Sequence, residues 1–522
     1  MSEVPILEDT ERTSGHSALR KNIQAAMALA GAVRSTLGPK GLDKLLVDDQ
    51  GRILVTNDGV TVLETAKVEH PVARMIIDAS SLQDRQVRDG TTSTVLLAAE
   101  MLNNAWHLIS EGIHPSIIAR GYHQAMQLGV NALNEISMEP SNDNWIMRAA
   151  RTSLAGKGEL SMQKQIAILA CDAVKIMSDS GNVDPNLVKK LTISGSAAAD
   201  SELVNGLVIA KKPVAREVRG NMDGGRILII DGGIERKSTS TNASILVKDT
   251  GVLEEFRRKE IEQVMVEVEA IINLGVNLVA LKEGIDDEAI TALSDAGIIV
   301  YRRMASNDMN LLARATGASI AYSASTASES DLGEFDSSKE QIWNGVTHWI
   351  MRGPGSGLTF IARGGTKEII DEVERCFDDA LGVVCQLHKE AHILPGGGAA
   401  QTALARRIRE FANTISGREA LAVEAWADAC EIIPRVLAEN AGLDPMDELL
   451  SLVSAQAKDG DTIGLDVNNK CNSDMFDAGI IEPVSVVRQS IQGATDSAIA
   501  ILRIDDILWA KQDLEVPEDV QY

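Results

Sequence analysis

The chain has few aromatic residues: Phe, Trp and Tyr make up 3% of its 522 residues. Its core must then rest on Ala, Val, Ile, Leu and Met, a set that favours helices. Cysteine is scarce as well. Cys171, Cys376, Cys385, Cys430 and Cys471 are scattered, odd in number and form no CxxC pair. That excludes a disulfide or zinc framework and points to a reducing compartment. The eight histidines show no HExxH spacing. Positive charge is in deficit, with 50 Lys and Arg against 75 Asp and Glu, a formal net charge of −25. Such a balance argues against nucleic acid and against an anionic membrane surface. No run approaches the roughly 18 apolar residues needed to span a bilayer. The opening MSEVPILEDTERTSG is polar and acidic, unlike a secretory signal. A soluble cytoplasmic protein is expected. The acid excess gives solubility by self-repulsion. It also suits a salt-rich cytoplasm, where screening weakens that repulsion.

Several catalytic signatures are missing too. There is no GxxxxGK[ST], no GxGxxG after a strand, no GxSxG and no kinase set. No internal repeat or low-complexity tract is visible.

What is present is a globular composition, 44% hydrophobic, in a chain long enough for about three or four domains. Residues 18–37 read as a small-residue helix stopped by Gly38-Pro39-Lys40-Gly41. Leu45–Val47 and Arg52–Thr56 flank a turn-forming Asp48-Asp49-Gln50-Gly51, the signature of a hairpin. Helices are expected to about residue 136, and EPSNDNW (139–145) is a candidate boundary. The apolar runs Arg226–Ile230, Leu278–Leu281 and Ile298–Val300 read as buried strands separated by helices, an α/β or α+β unit. Between them, Leu253, Phe256, Ile261, Val264, Met265, Val268, Ile271 and Ile272 form a helical stripe. It fits a helix packed on its own core or an exposed apolar arm. From Asp371 the text is helical again, broken by Leu394-Pro-Gly-Gly-Gly-Ala, with a further helix from about Thr402.

The stretch RQVRDGTTST (85–94) is the most suggestive. Asp-Gly followed by hydroxyls fits an ordinary turn and helix cap. It also fits a phosphate cradle, because a helix N-terminus offers unpaired N–H groups and a positive dipole end. Gly38-Pro39, Asn57-Asp58-Gly59, Gly156-Lys157-Gly158 and Gly396-Gly397-Gly398 are similar. Each is explained by a cap, a turn, a loop or a hinge when taken alone.

Together these motifs resemble one family. TLGPKGLDKLLVD (36–48), TNDGVTVL (56–63), DGTTSTVLLAAEML (89–102), GKG (156–158), RGGTKEIIDEVERCFDDAL (363–381) and LPGGGA (394–399) carry the likeness. So do LAENAGLDPMDELL (437–450) and DMFDAGIIEP (474–483). The sequence is similar to group II chaperonin subunits, of the archaeal thermosome and eukaryotic cytosolic type, nearly end to end. The acidic composition adds the expectation of a halophilic archaeal source.

The resemblance implies a multidomain fold, mainly α with α/β. A helical equatorial ATP-binding domain would use 1–141 and 398–522. A small intermediate domain would use 142–211 and 363–397. An apical client-binding α/β domain, 212–362, would be inserted between, with a helical lid protrusion at about 245–275. The implied activity is ATP-dependent protein folding in a closed cavity, with ATP and Mg2+ as cofactors and K+ as a candidate companion ion. The implied partners are unfolded or partly folded proteins and sister subunits, in a double ring of about eight subunits per ring, homo- or hetero-oligomeric. The alternative is a weakly hydrolysing or non-hydrolysing structural subunit of a mixed ring.

Residue by residue, Asp89 resembles the magnesium carboxylate, with Gly90, Thr91, Thr92 and Ser93 on the phosphates. Thr36, Leu37, Gly38 and Pro39 would line the nucleotide from the other side. Asp58 and Asp379 would orient and activate the attacking water, and Lys157 would sense the terminal phosphate. Gly397, Gly398, Asp466 and Glu482 would surround ribose and adenine. Asp379 and Lys157 fall outside the implied equatorial domain, so subunit closure would complete the site. The hairpin Leu45–Asp58 would pair with terminal strands of a neighbouring subunit.

The chain also departs from the family pattern. Arg88 stands where glycine is usual. A positive φ there would cost an arginine on the order of 1–2 kcal/mol. Its charge is expected to rest on the phosphates and slow product release, or else to face solvent. Gln401 replaces a usual Glu and is expected to alter a subunit contact. The tail EVPEDVQY lacks the usual Gly- and Met-rich ending.

Overall fold

The structure is a computed structural model. It describes residues 10–47, 51, 53–66, 68–140, 143–179, 181–215, 221–236, 250–355 and 357–510. The hairpin turn at 48–50, the start of the expected protrusion at 245–249 and the tail beyond 510 lie outside them. Among the described residues no helix is long and apolar enough to cross a membrane.

In chain order the helices are α1 (Gly15–Val33), α2 (Gly59–Thr65), α3 (Pro71–Val87), α4 (Thr91–Ser110), α5 (Pro115–Ile136), α6 (Asp143–Ser153), α7 (Leu160–Asp179), α8 (Thr250–Leu274), α9 (Asp287–Asp295), α10 (Ser306–Thr316), α11 (Lys367–Lys389), α12 (Ala399–Ala412), α13 (Arg418–Cys430), α14 (Ile432–Asn440), α15 (Pro445–Asp459), α16 (Met475–Ala478) and α17 (Val484–Leu502). The chain divides into two compact units, Met1–Cys171 with Cys376–Tyr522, and Asp172–Arg375.

The first unit is helical, as its composition predicts. Helices α1, α3, α4, α5, α13 and α17 pack around one core of Ala, Leu, Ile and Val. Small residues let the helices approach closely: a Cβ on Gly121 of α5 would stand 2.5 Å from that of Ala422 on α13. Two fully buried aromatics have polar partners. Tyr122 Oη donates to the Met101 carbonyl at 2.6 Å, and Trp426 Nε1 donates to Thr495 Oγ1 at 2.9 Å. Both ends of the chain belong to this unit, and Thr10–Ser14 pairs antiparallel with Asp506–Ala510. The predicted hairpin is present as Lys44–Val47 against Ile53–Thr56.

The second unit holds a mostly parallel sheet. Its order is Ile320–Ala321, Gly225–Ile230, Leu278–Leu281 and Ile299–Tyr301, with Gly333–Phe335 antiparallel on Gly225–Ile230. The apolar runs are explained by burial on both faces. Leu228 and Ile230 face α8 and α9, while Ile227 and Ile229 face α10 and Trp349. In α8 the stripe resolves by position. Val264, Val268 and Ile271 are buried in the core, Ile261 and Met265 are partly buried, and Ile272 is exposed. Leu253 and Phe256 have side chains outside the described set.

Two differences from the sequence expectation concern the glycine triplet. Ile393–Pro395 is a short strand paired with Ile481–Pro483, and α12 begins at Ala399 rather than near Thr402. Gly398 starts the helix early because it adopts the left-handed N-cap at φ 75.

Candidate functional site

The first wall is the α3–α4 junction. Arg88 ends α3 in the left-handed region at φ 57, as a glycine-like position requires. Gly90 is also left-handed, at φ 78, and no side chain caps α4 behind it. The first N–H groups of α4 therefore stay open to an anion, flanked by the Thr91, Thr92 and Ser93 hydroxyls. A Cβ on Gly90 would stand 2.9 Å from Gln83 Nε2 and 3.0 Å from Val486, so the turn excludes one. Gln83 Nε2 locks it by donating to the carbonyls of Asp89 at 2.7 Å and Val486 at 3.1 Å. Asp89 Oδ1 accepts the Gly90 N–H at 2.7 Å. Burial raises the Asp89 pKa and the charge of Asp58 adds to it; Lys157 and the Gly90 N–H pull the other way.

The opposite wall is the turn Thr36–Pro39. Asn440 Nδ2 fixes it, donating to the carbonyls of Arg34 at 3.1 Å and Leu37 at 2.9 Å. The hydroxyls of Thr36 and Thr92 lie 3.5 Å apart. Asp58 caps α2, accepting Thr61 N–H at 2.9 Å and Thr61 Oγ1–H at 2.6 Å on Oδ2. Its other oxygen accepts from Thr91 Oγ1 at 3.3 Å, which ties the two walls together.

The loop after α6 forms the third side. Gly156, at φ 90, lets its backbone press on Gly38: a Cβ there would stand 2.7 Å from the Gly38 carbonyl oxygen. Lys157 Nζ then bonds Asp379 Oδ2 of α11 at 2.6 Å. Burial opposes the Lys157 charge, but the carboxylates of Asp379 and Asp89 outweigh it and hold the ammonium protonated. Burial, with the charges of Asp58 and Asp89, pushes Asp379 above the usual carboxylate range while Lys157 pulls it down. Two carboxylates, Asp379 and Asp89, thus share one lysine.

Gly397, Leu465, Val467, Ile480 and Glu482 close the remaining side. Burial and the Asp89 charge push Glu482 up to about 7.

Thr36, Leu37, Gly38, Pro39, Asp58, Asp89, Gly90, Thr91, Thr92, Ser93, Lys157, Gly397 and Glu482 line one cleft of about 470 Å3. That size suits a small-molecule ligand. Three expected residues stand back from it. Asp379 lies behind Lys157. Gly398 is the N-cap of α12. Asp466 is buried and closes its own turn, accepting the N–H groups of Asn468 at 3.0 Å and Asn469 at 3.1 Å. Two expectations are corrected. The Arg88 charge does not reach the phosphate side; Nη1 lies 3.6 Å from Asp378 Oδ1 on α11, and Arg88 does not line the cleft. Gln401 lines the cleft rather than the outer surface: it is 6% exposed, and among the described residues its Oε1 is buried without a partner.

Sequence reasoning missed Arg148 and Arg151, which also line the cleft. Their three-residue spacing puts both on one face of α6, a signal that was available. Arg148 is engaged, donating to the Phe476 carbonyl at 3.1 Å and lying 4.9 Å from the Trp145 ring.

The residues fit a magnesium-bound polyphosphate. Open helix N–H groups and hydroxyls suit the anion, and the orphaned Gln401 Oε1 suits a hydroxyl or amino donor. The carboxylate excess would repel a bare polyphosphate, so a cation must enter with it. Among the described residues no cluster of three or more His, Cys, Asp or Glu is arranged for a metal. Asp89 would therefore share the cation with phosphate oxygens.

The fold and cleft define a class: a helical unit assembled from both ends of one chain, holding a polar cleft at helix N-termini, with an α/β unit inserted in the sequence. Residues 29–512 match the model of the TCP-1/cpn60 chaperonin family, and the chain belongs to that family. It is 40% identical to thermosome subunit alpha of Halobacterium salinarum, over 97% of this chain and 91% of that one. It is 40% identical to the thermosome subunit of Methanocaldococcus jannaschii, over 98% and 96%. Thermosome subunit 1 of Haloferax volcanii is 39% identical, over 96% and 90%.

Proposed function

We propose that this chaperonin hydrolyses ATP with magnesium and uses the cycle to fold client proteins. The observation that carries the reading is the convergence of Asp58, Asp89 and the Lys157–Asp379 pair at the open N-terminus of α4. The α4 N–H groups, with Thr91, Thr92 and Ser93, hold the phosphates from one side and Thr36–Pro39 from the other. Asp89 would hold the magnesium, which would supply charge neutralisation; that, with positioning, is most of what phosphoryl transfer needs. Asp58 and Asp379 orient the attacking water and accept its proton; a carboxylate of raised pKa is the better base. Lys157 exchanges Asp379 for the terminal phosphate and so reports that the nucleotide is a triphosphate. Gly397, Gly398, Asp466 and Glu482 enclose ribose and adenine, with Gln401 Oε1 as a further acceptor.

The three-part division into equatorial, intermediate and apical regions belongs to the same proposal. So do the apical protrusion as a lid, the double ring of about eight subunits each, binding of unfolded clients and a place in the cytoplasm. Purified protein should release phosphate from ATP, and Asp379→Ala should lower that rate at least about 100-fold while nucleotide still binds. Equal rates in the two proteins would refute the reading.

A further inference from the structure

The seam between α3 and α11 shows more than the hydrolysis requires. Arg88 holds a left-handed conformation that L side chains rarely adopt. From there its side chain runs over Gly382 of α11. A Cβ on residue 382 would stand 2.4 Å from the Arg88 Cβ, 2.9 Å from its Cγ and 3.3 Å from its Cδ. The guanidinium ends at Asp378, Nη1 to Oδ1 3.6 Å. One turn further on, Gln386 Nε2 donates to the Gln86 carbonyl at 2.6 Å. Residues 378, 382 and 386 are spaced by four, so they form one stripe of α11 facing the end of α3. Arg88 immediately precedes Asp89, and Asp378 immediately precedes Asp379. The ion pair therefore joins the neighbours of the two carboxylates on which hydrolysis depends.

We propose that Arg88 is a positioning residue that clamps α11 to the end of α3 and fixes Asp379 relative to Asp89. The inference rests on the hydrolytic role proposed for Asp379. Gly382 is the notch that admits the clamp, and Asp378 is its electrostatic catch. A helix held this way delivers Asp379 reliably but leaves the cleft slowly, so the clamp limits turnover at product release.

The test uses the full chain and compares wild type with Arg88→Gly, Asp378→Asn and the double variant. The first readout is hydrogen exchange of the amides of residues 378–389 without nucleotide, which needs no ATPase activity. Each single variant should raise exchange about two- to fivefold, and the double variant no more than either single. The second readout is steady-state phosphate release, which should rise by a similar two- to fivefold factor in Arg88→Gly, while single-turnover hydrolysis changes less. Arg88→Lys, which keeps a charge, should fall between wild type and Arg88→Gly. Unaltered exchange in Arg88→Gly, or effects that multiply in the double variant, would overturn the clamp. Exchange that rises with no change in turnover would overturn its positioning role. An Asp379→Ala protein as active as wild type would remove the hydrolysis reading, and the exchange data would still decide the clamp.

Discussion

The two units of the chain differ in how they gather buried charge. The helical unit buries charge: Asp89, Lys157 and Glu482 line one cleft with Asp379 behind them; burial raises the pKa of the three carboxyl groups, and Asp379 and Asp89 keep Lys157 protonated against burial. Elsewhere in that unit Arg409 holds Glu431 and Asp428. The α/β unit buries mainly apolar strands, with Lys189–Asp308 as an enclosed ion pair beside them. Its central feature is a dry stack, Tyr301 on Trp349, with ring centroids 3.8 Å apart and 9° between planes. Many of its ion pairs, such as Arg236 with Asp286 and Lys282 with Asp231, lie near the surface. The contrast teaches where chemistry can reside. Buried charges cost stability and persist where they are paired or functional. The α/β unit is free to optimise packing.

The largest expected effect breaks the helical side of the comparison. Asp379→Ala should abolish most phosphate release, as above, and lower the unfolding temperature of the nucleotide-free chain, because it removes the bonded partner of the buried Lys157 ammonium. The next breaks the other side. Trp349→Ala removes the ring stack and the Nε1 bond to Ser338 Oγ at 2.8 Å. It should cost about 3–5 kcal/mol. Calorimetry should then show an earlier transition for the α/β unit, while nucleotide binding to the helical unit persists. If the same variant abolished nucleotide binding, the two sides would not be separable.

A smaller effect sharpens the contrast. Glu482 binds its proton more tightly folded, at about 7, than at its ordinary value of 4.5. Its contribution is complete below about 4.5 and is lost as pH rises through about 7. Glu482→Gln should therefore raise the unfolding temperature at pH 8 relative to wild type and not at pH 4, on the order of 1 kcal/mol in stability. Equal shifts at both pH values would contradict the assignment. The smallest effect concerns the acidic surface. Transfer from molar salt to low-salt buffer should lower the unfolding temperature of the whole chain through self-repulsion, by a few degrees. Full retention of fold and assembly in low salt would remove that account.

Much of the fold was legible because its signals are local. The run Arg226–Ile230 is apolar on both faces and can only be a doubly covered strand. The hairpin at 44–56 is bracketed by its own turn residues. The left-handed Arg88 was suggested only by the glycine usual at that position in the family. The site was legible only through the family resemblance, because Asp58, Asp89, Lys157 and Asp379 are far apart in sequence and each motif alone reads as a turn. What escaped depends on tertiary placement. Gln401 reads as part of a subunit contact until α12, starting at Ala399, buries it. Arg148 and Arg151 carry no motif and join the site only because α6 meets the cleft. Asp466 reads as a ligand residue, although its carboxylate is occupied by the turn to Asn469.

The central claim is that Asp89 and the open end of α4 bind a magnesium-bound triphosphate. It is tested most directly by titrating ATP into the wild-type chain and Asp89→Asn, each with magnesium and with chelator. The account predicts that magnesium tightens wild-type binding at least about tenfold and that Asp89→Asn loses this gain. Magnesium-dependent binding that is unchanged in Asp89→Asn would contradict it.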